Sequence, residues 1–493
     1  MDLLKLNQQN LSALSDRLTC PEYDRANITE GIVHIGVGGF HRSHQAHFVN
    51  QFIGQEGASG WGICGVGLRE WDRKIYECLS AQDGLYTLMV QSPDGSEKSE
   101  VIGSITDQLL AVDTPDAVIE KMASADIKIV SLTITEGGYN FHPSTGEFDF
   151  ENVDIQHELA NPTAPRTVFG YITQALRIRK ESGIAPFSVL SCDNIQHNGD
   201  IAKKMVLAFA KKQDPELGAW IEKEVTFPNT MVDRITPVTS QESRDYIKET
   251  YQIEDSAPVV CEPFIQWIVE DKFCNGRPEL EKVGVQFVED VTVYEEMKIR
   301  LLNAGHTVIG IPGAVHGFET INECMENATV KAFLRQFLDQ EATQILSPVE
   351  GIDIEDYKAT VIERFANPNI KDSTARICSE SSAKCPTFLI PTLRENLEKG
   401  GSIKFATFVL AAWCYYSDKG VDEKGNEINI IDQLKDTLQA AAQSTATDST
   451  AFVKLDEVFA DLASNERFVE LYTSTVQEIY QEQDILKVMA GLL

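Results

Sequence analysis

One stretch limits the possible folds more than any other: Ile32-Val33-His34-Ile35-Gly36-Val37-Gly38-Gly39-Phe40-His41-Arg42. An apolar, β-branched run ends on two glycines separated by one residue. A helical pattern follows over residues 43–55, with Ala46, Phe48, Val49 and Phe52 as its apolar positions. Further β-branched runs at 31–35, 61–66, 127–134 and 187–192 alternate with helical patterns, the order of a parallel sheet covered by helices. After about residue 286 the pattern changes to long helical segments at 294–309, 330–345, 401–416 and 468–493. The expected architecture is therefore an α/β domain over 1–285 followed by a mainly α-helical domain over 286–493. Residues 441–450 read as a surface loop and 419–427 as a turn-rich hairpin or loop.

The glycine turn has a physical reading. Gly36 permits a tight turn, Gly38 lets the backbone approach a pyrophosphate, and a helix that follows offers free N–H groups to that anion. His41 stands where a third glycine is usual, so an ordinary strand-turn-helix corner stays open as an alternative. His41 and Arg42 are cofactor-contacting or loop-fixing groups. The second strand ends in Arg69-Glu70-Trp71-Asp72, where Asp72 or Glu70 could accept hydrogen bonds from ribose hydroxyls and repel a 2′-phosphate, favouring NAD over NADP. The Arg69 guanidinium could instead welcome that phosphate.

Two other stretches are rich in groups able to do chemistry. On an ideal helix Lys298, His306 and Asn303 fall near about 0°, 80° and 140°, on one half of the cylinder. A lysine is a base that burial brings toward neutrality, an asparagine amide donates to a developing oxyanion, and a histidine fixes hydroxyls. The alternative is a surface lysine paired with Glu295 or Glu296. Ser191-Cys192-Asp193-Asn194 follows a strand, placing Asn194 at its carboxyl end, where open α/β sheets bind ligands; an Asx-turn would explain Asp193 or Asn198 alone.

Composition narrows the field. The chain has 493 residues, and 43 Lys+Arg against 75 Asp+Glu leave a net charge of −32. Such a surface repels nucleic acid and anionic lipid, and there is no basic run to offset it. The first residues lack the charge and apolar core of a secretory signal, so the expected setting is cytoplasmic, with no membrane partner. The ten cysteines form no C-x-x-C pair, and His41, His44 and His47, three residues apart, diverge round a helix; no metal site is expected.

GVGGFHRSHQ, SLTITEGGY, SCDNIQHNG, PNTMVDRITP, VVCEPFIQW and EEMKIRLLNAGH, in this order, resemble the polyol-specific long-chain dehydrogenases and reductases from about residue 27 to residue 420. K-x4-N-x2-H is the most specific of these signatures. The resemblance implies a Rossmann-type N-terminal domain, a mainly helical C-terminal domain, an active site in the cleft between them, NAD as cofactor, no metal, and a monomer. It implies that Lys298 is the general base, Asn194 and Asn303 form the oxyanion hole, and His306 positions the substrate. Asp233, Arg376 and Lys384 match positions that hold substrate hydroxyls. Gly36, Gly38, Gly39, Phe40, His41, Arg42 and Asp72 are the expected cofactor contacts. The implied reaction is polyol–ketose interconversion, with D-mannitol and D-fructose as the leading pair. A fructuronate or tagaturonate reductase and an arabinitol dehydrogenase remain alternatives, since residues 305–317 depart from the mannitol-specific pattern.

Overall fold

The computed structural model describes residues 3–55, 57–142 and 146–493. It divides into two compact units, one ending at Thr292 and one running from Val293 to Leu493 together with Pro93–Gly95. The division lies a few residues beyond the 285/286 boundary read from the pattern.

Besides a two-stranded pairing of Leu4–Lys5 with Ile253–Glu254, the strands of the first unit are β1 (Glu30–Ile35), β2 (Gly62–Gly67), β3 (Tyr86–Gln91), β4 (Glu97–Ile102), β5 (Ile105–Leu110), β6 (Ile129–Leu132), β7 (Ser188–Ser191), β8 (Thr230–Asp233), β9 (Val259–Cys261), β10 (Gln266–Glu270) and β11 (Gln286–Val288). Five of them make a parallel sheet in the order β5-β2-β1-β6-β7. The chain leaves β1 on one side for β2 and returns on the other as β6, so the carboxyl ends of β1 and β6 flank a switch point where such sheets bind ligands.

Strand alternation fills both faces. Val33, Ile35, Cys64, Val66, Val130, Leu132 and Val189 join one core with helices α3 (Val168–Ser182) and α4 (Asn198–Gln213). Ile32, Ile63, Ile129 and Leu190 join the other with Phe48, Val49 and Phe52 of α2 (Gln45–Ile53). A sheet buried on both sides gives the near-continuous apolar runs that make β1, β2, β6 and β7 readable. The expected helix over 43–55 is instead a short α1 (Gly39–Ser43) and α2, separated at His44. The His44 Nε2 lies 2.8 Å from the Gln266 carbonyl oxygen and its ring stacks on Phe40, which holds the backbone out of helical geometry there (φ −119°, ψ −87°).

The second unit contains α5 (Thr292–Lys298), a π turn (Ile299–Asn303), α6 (Ala304–His316), α7 (Ile321–Glu326), α8 (Ala328–Phe337), α9 (Ile354–Phe365), α10 (Thr374–Cys378), α11 (Ser381–Phe388), α12 (Lys404–Lys419), α13 (Lys435–Ser444), α14 (Glu466–Glu482) and α15 (Ile485–Gly491). α12 is buried along most of its length and packs against α6, α13 and α14. Its amino end is capped from a distance. Glu341, fully buried in a second π turn (Leu338–Ala342), accepts from the Phe405 and Ala406 amides and the Ser402 hydroxyl. Burial pushes its carboxyl up to about 7 despite those donors.

Two expectations differ from the structure and a third agrees with it. The helix read over 468–493 breaks at Gln483, whose φ is +49°, and restarts with Asp484 as its cap. The loop read over 441–450 is helical as far as Ser444, because the alanines at 440–442 extend α13. Residues 419–427 do close into a hairpin, with Val421 bridged to Glu427. No described helix is long and apolar enough to cross a membrane.

Candidate active site

In the first unit a groove of about 660 Å³, open to solvent, runs along the carboxyl ends of β1, β2 and β6. Its walls include Gly36, Gly38, Arg42, Arg69, Trp71, Asp72, the segment Thr133–Gly138, and Thr167–Phe169. Gly36 has a φ of +97°, and a Cβ there would lie 2.1 Å from the Thr133 carbonyl oxygen. No other residue fits. Gly38 differs, for its Cβ would meet nothing nearer than 3.9 Å. The room left by that missing side chain belongs to the groove, which is the space a pyrophosphate approaching the backbone needs.

The turn is held from behind. His34, buried and kept neutral because burial lowers its pKa to about 3, bonds Ser131 at 2.8 Å and Thr133 at 2.9 Å; Thr133 in turn donates to the Gly36 carbonyl at 2.7 Å. Arg42 donates through Nε to the Gly38 carbonyl and through Nη1 to that of Ala257, tying the turn to the segment that leads into β9. It is therefore a loop-fixing group that also reaches the groove wall. His41 is not at the groove: it is buried in the core, its ring stacked on His34 at 3.4 Å between centroids. Phe40 likewise stacks on His44 rather than lining the groove. His47 pairs with Glu100, so the three histidines serve three different partners. Among the described residues no group of three or more His, Cys, Asp or Glu could hold a metal ion.

At the end of β2 the Asp72 Oδ2 accepts from the Leu68 and Arg69 amides, 2.9 Å each, fixing the carboxylate against the groove. The Arg69 guanidinium is held by Asp154 at 2.8 Å, and Glu70 is engaged with Arg73. Trp71 is 79% exposed on the groove wall.

Asn194 is exposed just past the carboxyl end of β7. Its turn is anchored by Asn198, whose amide nitrogen donates to the carbonyls of Asp193 (3.0 Å) and Thr230 (2.9 Å), and whose oxygen accepts from the Thr230 amide. Thr230 opens β8, and buried Asp233 closes it, opposite Gln266 of β10. One side chain thus sets Asn194 and the strand bearing Asp233. Gly199 permits this close approach, because a Cβ would sit 2.4 Å from the Pro228 carbonyl oxygen. Cys192 is buried, and burial raises its thiol pKa, which makes it a packing residue.

In the second unit Lys298, Asn303 and His306 lie on one continuous helix, with Lys298 and His306 buried and Asn303 half-buried. The π turn between Lys298 and Ala304 changes their phase. A π turn carries one residue more than an α turn, so Asn303 and His306 take the places of fourth and seventh residues after Lys298, near about 40° and −20° rather than 140° and 80°. The three form a narrow stripe instead of half a cylinder. Phe365 of α9 stacks on the His306 ring at 4.0 Å and 26°, fixing its plane. The Asn303 Oδ1, an acceptor, is buried with no hydrogen-bond partner among the described residues. Glu295 is also buried, one turn before Lys298.

Arg376 and Lys384 belong to the same unit. α10, which carries Arg376, packs closely on α6 because Gly310 has no side chain; a Cβ there would lie 2.6 Å from Ile377 Cγ2. Gly313 does the same for Cys324 of α7. These glycines of 305–317 are thus packing devices. The Arg376 guanidinium is clamped by the buried Asp372 carboxylate. The Lys384 Nζ reaches the carbonyls of Arg376 and Ile377, 3.1 Å each, at the end of α10.

The sequence reading misses His34, Thr133 and Tyr139, which fix the groove, and the phase change within the helix that carries Lys298. His34 and Thr133 sit in apolar strand context with no spacing that marks them. Asp193 and Asn198 carry a signal, since an Asx residue before a helix is a turn fixer.

Residues 30–282 match the mannitol dehydrogenase Rossmann domain and residues 290–480 the mannitol dehydrogenase C-terminal domain. Mannitol 2-dehydrogenase of Neosartorya fischeri is 44% identical over 490 residues, covering 97% of each chain. The structure of Pseudomonas fluorescens mannitol 2-dehydrogenase in ternary complex with NAD and D-mannitol superposes with a TM-score of 0.92 at 44% identity, covering 99% of both chains. A D-sorbitol dehydrogenase in substrate-free form gives 0.88 at 38% identity, covering 99% of this chain and 100% of its own. With the Rossmann-type α/β unit and the helical unit both matched, the chain belongs to the mannitol dehydrogenase family.

Proposed function

We propose that this NAD-dependent polyol dehydrogenase interconverts D-mannitol and D-fructose. The observation that carries the reading is the stripe of Lys298, Asn303 and His306 along one helix face, joined to the similarity with relatives named for mannitol.

The chain's own groups have these roles. Lys298, as the neutral amine, takes the proton of the substrate hydroxyl being oxidised. The Asn303 amide, and Asn194 by its match to the family motif, donate to the alkoxide-like oxygen. His306, its plane fixed by Phe365, orients a hydroxyl. Asp233, Arg376 and Lys384 are assigned to the remaining hydroxyls. Bound NAD supplies the hydride acceptor. Gly36, Gly38 and Gly39 would give its pyrophosphate room at the turn, and Asp72 would accept from the ribose hydroxyls. Arg69 is held by Asp154, which also takes Arg166, so what supports NAD over NADP is the repulsion between the Asp72 carboxylate and a 2′-phosphate.

The clamps on Arg376 and Lys384 also weigh on substrate choice. A guanidinium already held by the Asp372 carboxylate has less charge to offer a sugar-acid carboxylate than a free cation would, while the Lys384 ammonium is fixed in place by two helix-end carbonyls. A polyol is favoured over mannonate.

Initial rates of NADH formation with mannitol, arabinitol, sorbitol and mannonate, repeated with NADP, test this. The expected result is fastest turnover with mannitol and NAD, rising with pH as the amine deprotonates. Activity with mannonate alone would overturn the substrate reading.

A further inference from the structure

The carboxylate of Asp193 is buried, and no step of the proposed reaction uses it. Its Oδ1 accepts from the Thr135 amide at 2.8 Å, and its Oδ2 accepts from the Ile134 amide at 3.2 Å and the Tyr139 hydroxyl at 2.8 Å. The Tyr139 hydroxyl also lies 2.6 Å from the Ser191 Oγ, at the end of the strand that leads into Asp193. Two of these three bonds fall within the Thr133–Gly138 wall of the groove, and the third comes from Tyr139, the residue that follows it.

The loop needs holding. Thr135 has φ 60° and ψ 171°, a region open to glycine and closed by sterics to a β-branched residue unless its surroundings impose it. Among the described residues, the groups bonded to its amide and to the amide before it are the two Asp193 oxygens. Burying a carboxylate is costly, and here burial raises its pKa to about 6. An uncharged residue would close the turn to the following helix equally well, so the charge has another use.

We propose that Asp193 is a positioning residue for the cofactor groove, holding Thr135 in a glycine-type conformation so that the Thr133–Gly138 wall has the shape that binds NAD. The same residue precedes Asn194, so one short turn sets both the cofactor wall and the oxyanion donor. The inference rests on the NAD reading of the groove.

The test is a double-mutant cycle on the full chain, read as NADH affinity by fluorescence titration, with circular dichroism to verify folding. Asp193→Asn replaces one acceptor by a donor facing N–H groups and is expected to weaken NADH binding about tenfold. Thr135→Gly removes the need for enforcement, so Asp193→Asn in that background is expected to cost less than about twofold. A general loss of stability would not produce this selective rescue. Equal losses in the two backgrounds would overturn the proposal. If Asp193→Asn does not fold, Tyr139→Phe, which deletes one of the three donors, goes through the same cycle, with a smaller loss that again shrinks in the Thr135→Gly background; additivity would overturn the proposal there too. Failure of the wild-type protein to bind NADH would instead remove the NAD reading, and the proposal with it.

Discussion

The groove of the first unit and the stripe of the second are built by opposite means. The groove is mainly backbone: Gly36 and Gly38 clear space, and His34, Arg42, Thr133 and Asp193 act from behind to fix its turns. The stripe is mainly side chain, with Lys298, Asn303 and His306 projecting from a helix whose π turn aligns them. A loop-built site depends on buried partners behind it and is sensitive to backbone strain. A helix-built site carries its geometry in its own hydrogen bonds and is sensitive to the identity of three side chains.

This contrast orders the expected effects of substitution. The largest is on the stripe: Lys298→Ala should lower kcat by about 10²–10⁴-fold while KM for the polyol changes little, as expected for loss of a general base. Steady-state kinetics on this variant and on Glu296→Ala check the assignment, and an equal fall in both would remove it from Lys298. Next is Asn303→Ala, where loss of one oxyanion donor should cost about 10²–10³-fold in kcat; an effect confined to KM would move Asn303 from the transition state to ground-state binding.

In the groove the two glycines should part company. Gly36→Ala forces a Cβ into the Thr133 carbonyl and should lower the melting temperature, whereas Gly38→Ala meets no protein atom closely and should leave it unchanged while weakening NADH binding. Melting curves and NADH titrations on both variants check this. A Gly38→Ala variant that binds NADH normally would remove the pyrophosphate from that turn.

The smallest effect lies away from either site. Glu341 is protonated more readily folded, at about 7, than at its ordinary value of 4.5. Its contribution to stability is therefore fully present below about pH 4.5 and lost as pH rises through about 7. Glu341→Gln cannot titrate, so its urea stability should fall less than that of the wild type between those pH values. Parallel curves would show that Glu341 does not titrate in this window.

The same contrast decides what can be read from the sequence. β1, β2, β6 and β7 are legible because a sheet buried on both faces concentrates β-branched residues. β4 (EKSEVI) and β5 (ITDQLL) are not, since four of the six residues of the first and three of the six of the second are polar. K-x4-N-x2-H is legible as a motif, but its true alignment is not: ideal helix geometry puts Asn303 about 140° from Lys298, and only the π turn brings it round. Following directly on the glycines, Phe40 and His41 read as cofactor contacts. The break at His44 and the stacking on His34 turn both inward, a tertiary effect that no local pattern carries.

The central claim is that chemistry resides in the helix stripe and cofactor capture in the glycine groove. The most direct measurement is kcat with D-mannitol and the NADH dissociation constant, taken side by side in Lys298→Ala and Gly38→Ala. The account predicts that the first variant binds NADH as the wild type does and loses turnover, while the second binds NADH more weakly and turns over at saturating cofactor. If both variants lost the same quantity, the division of labour would be contradicted.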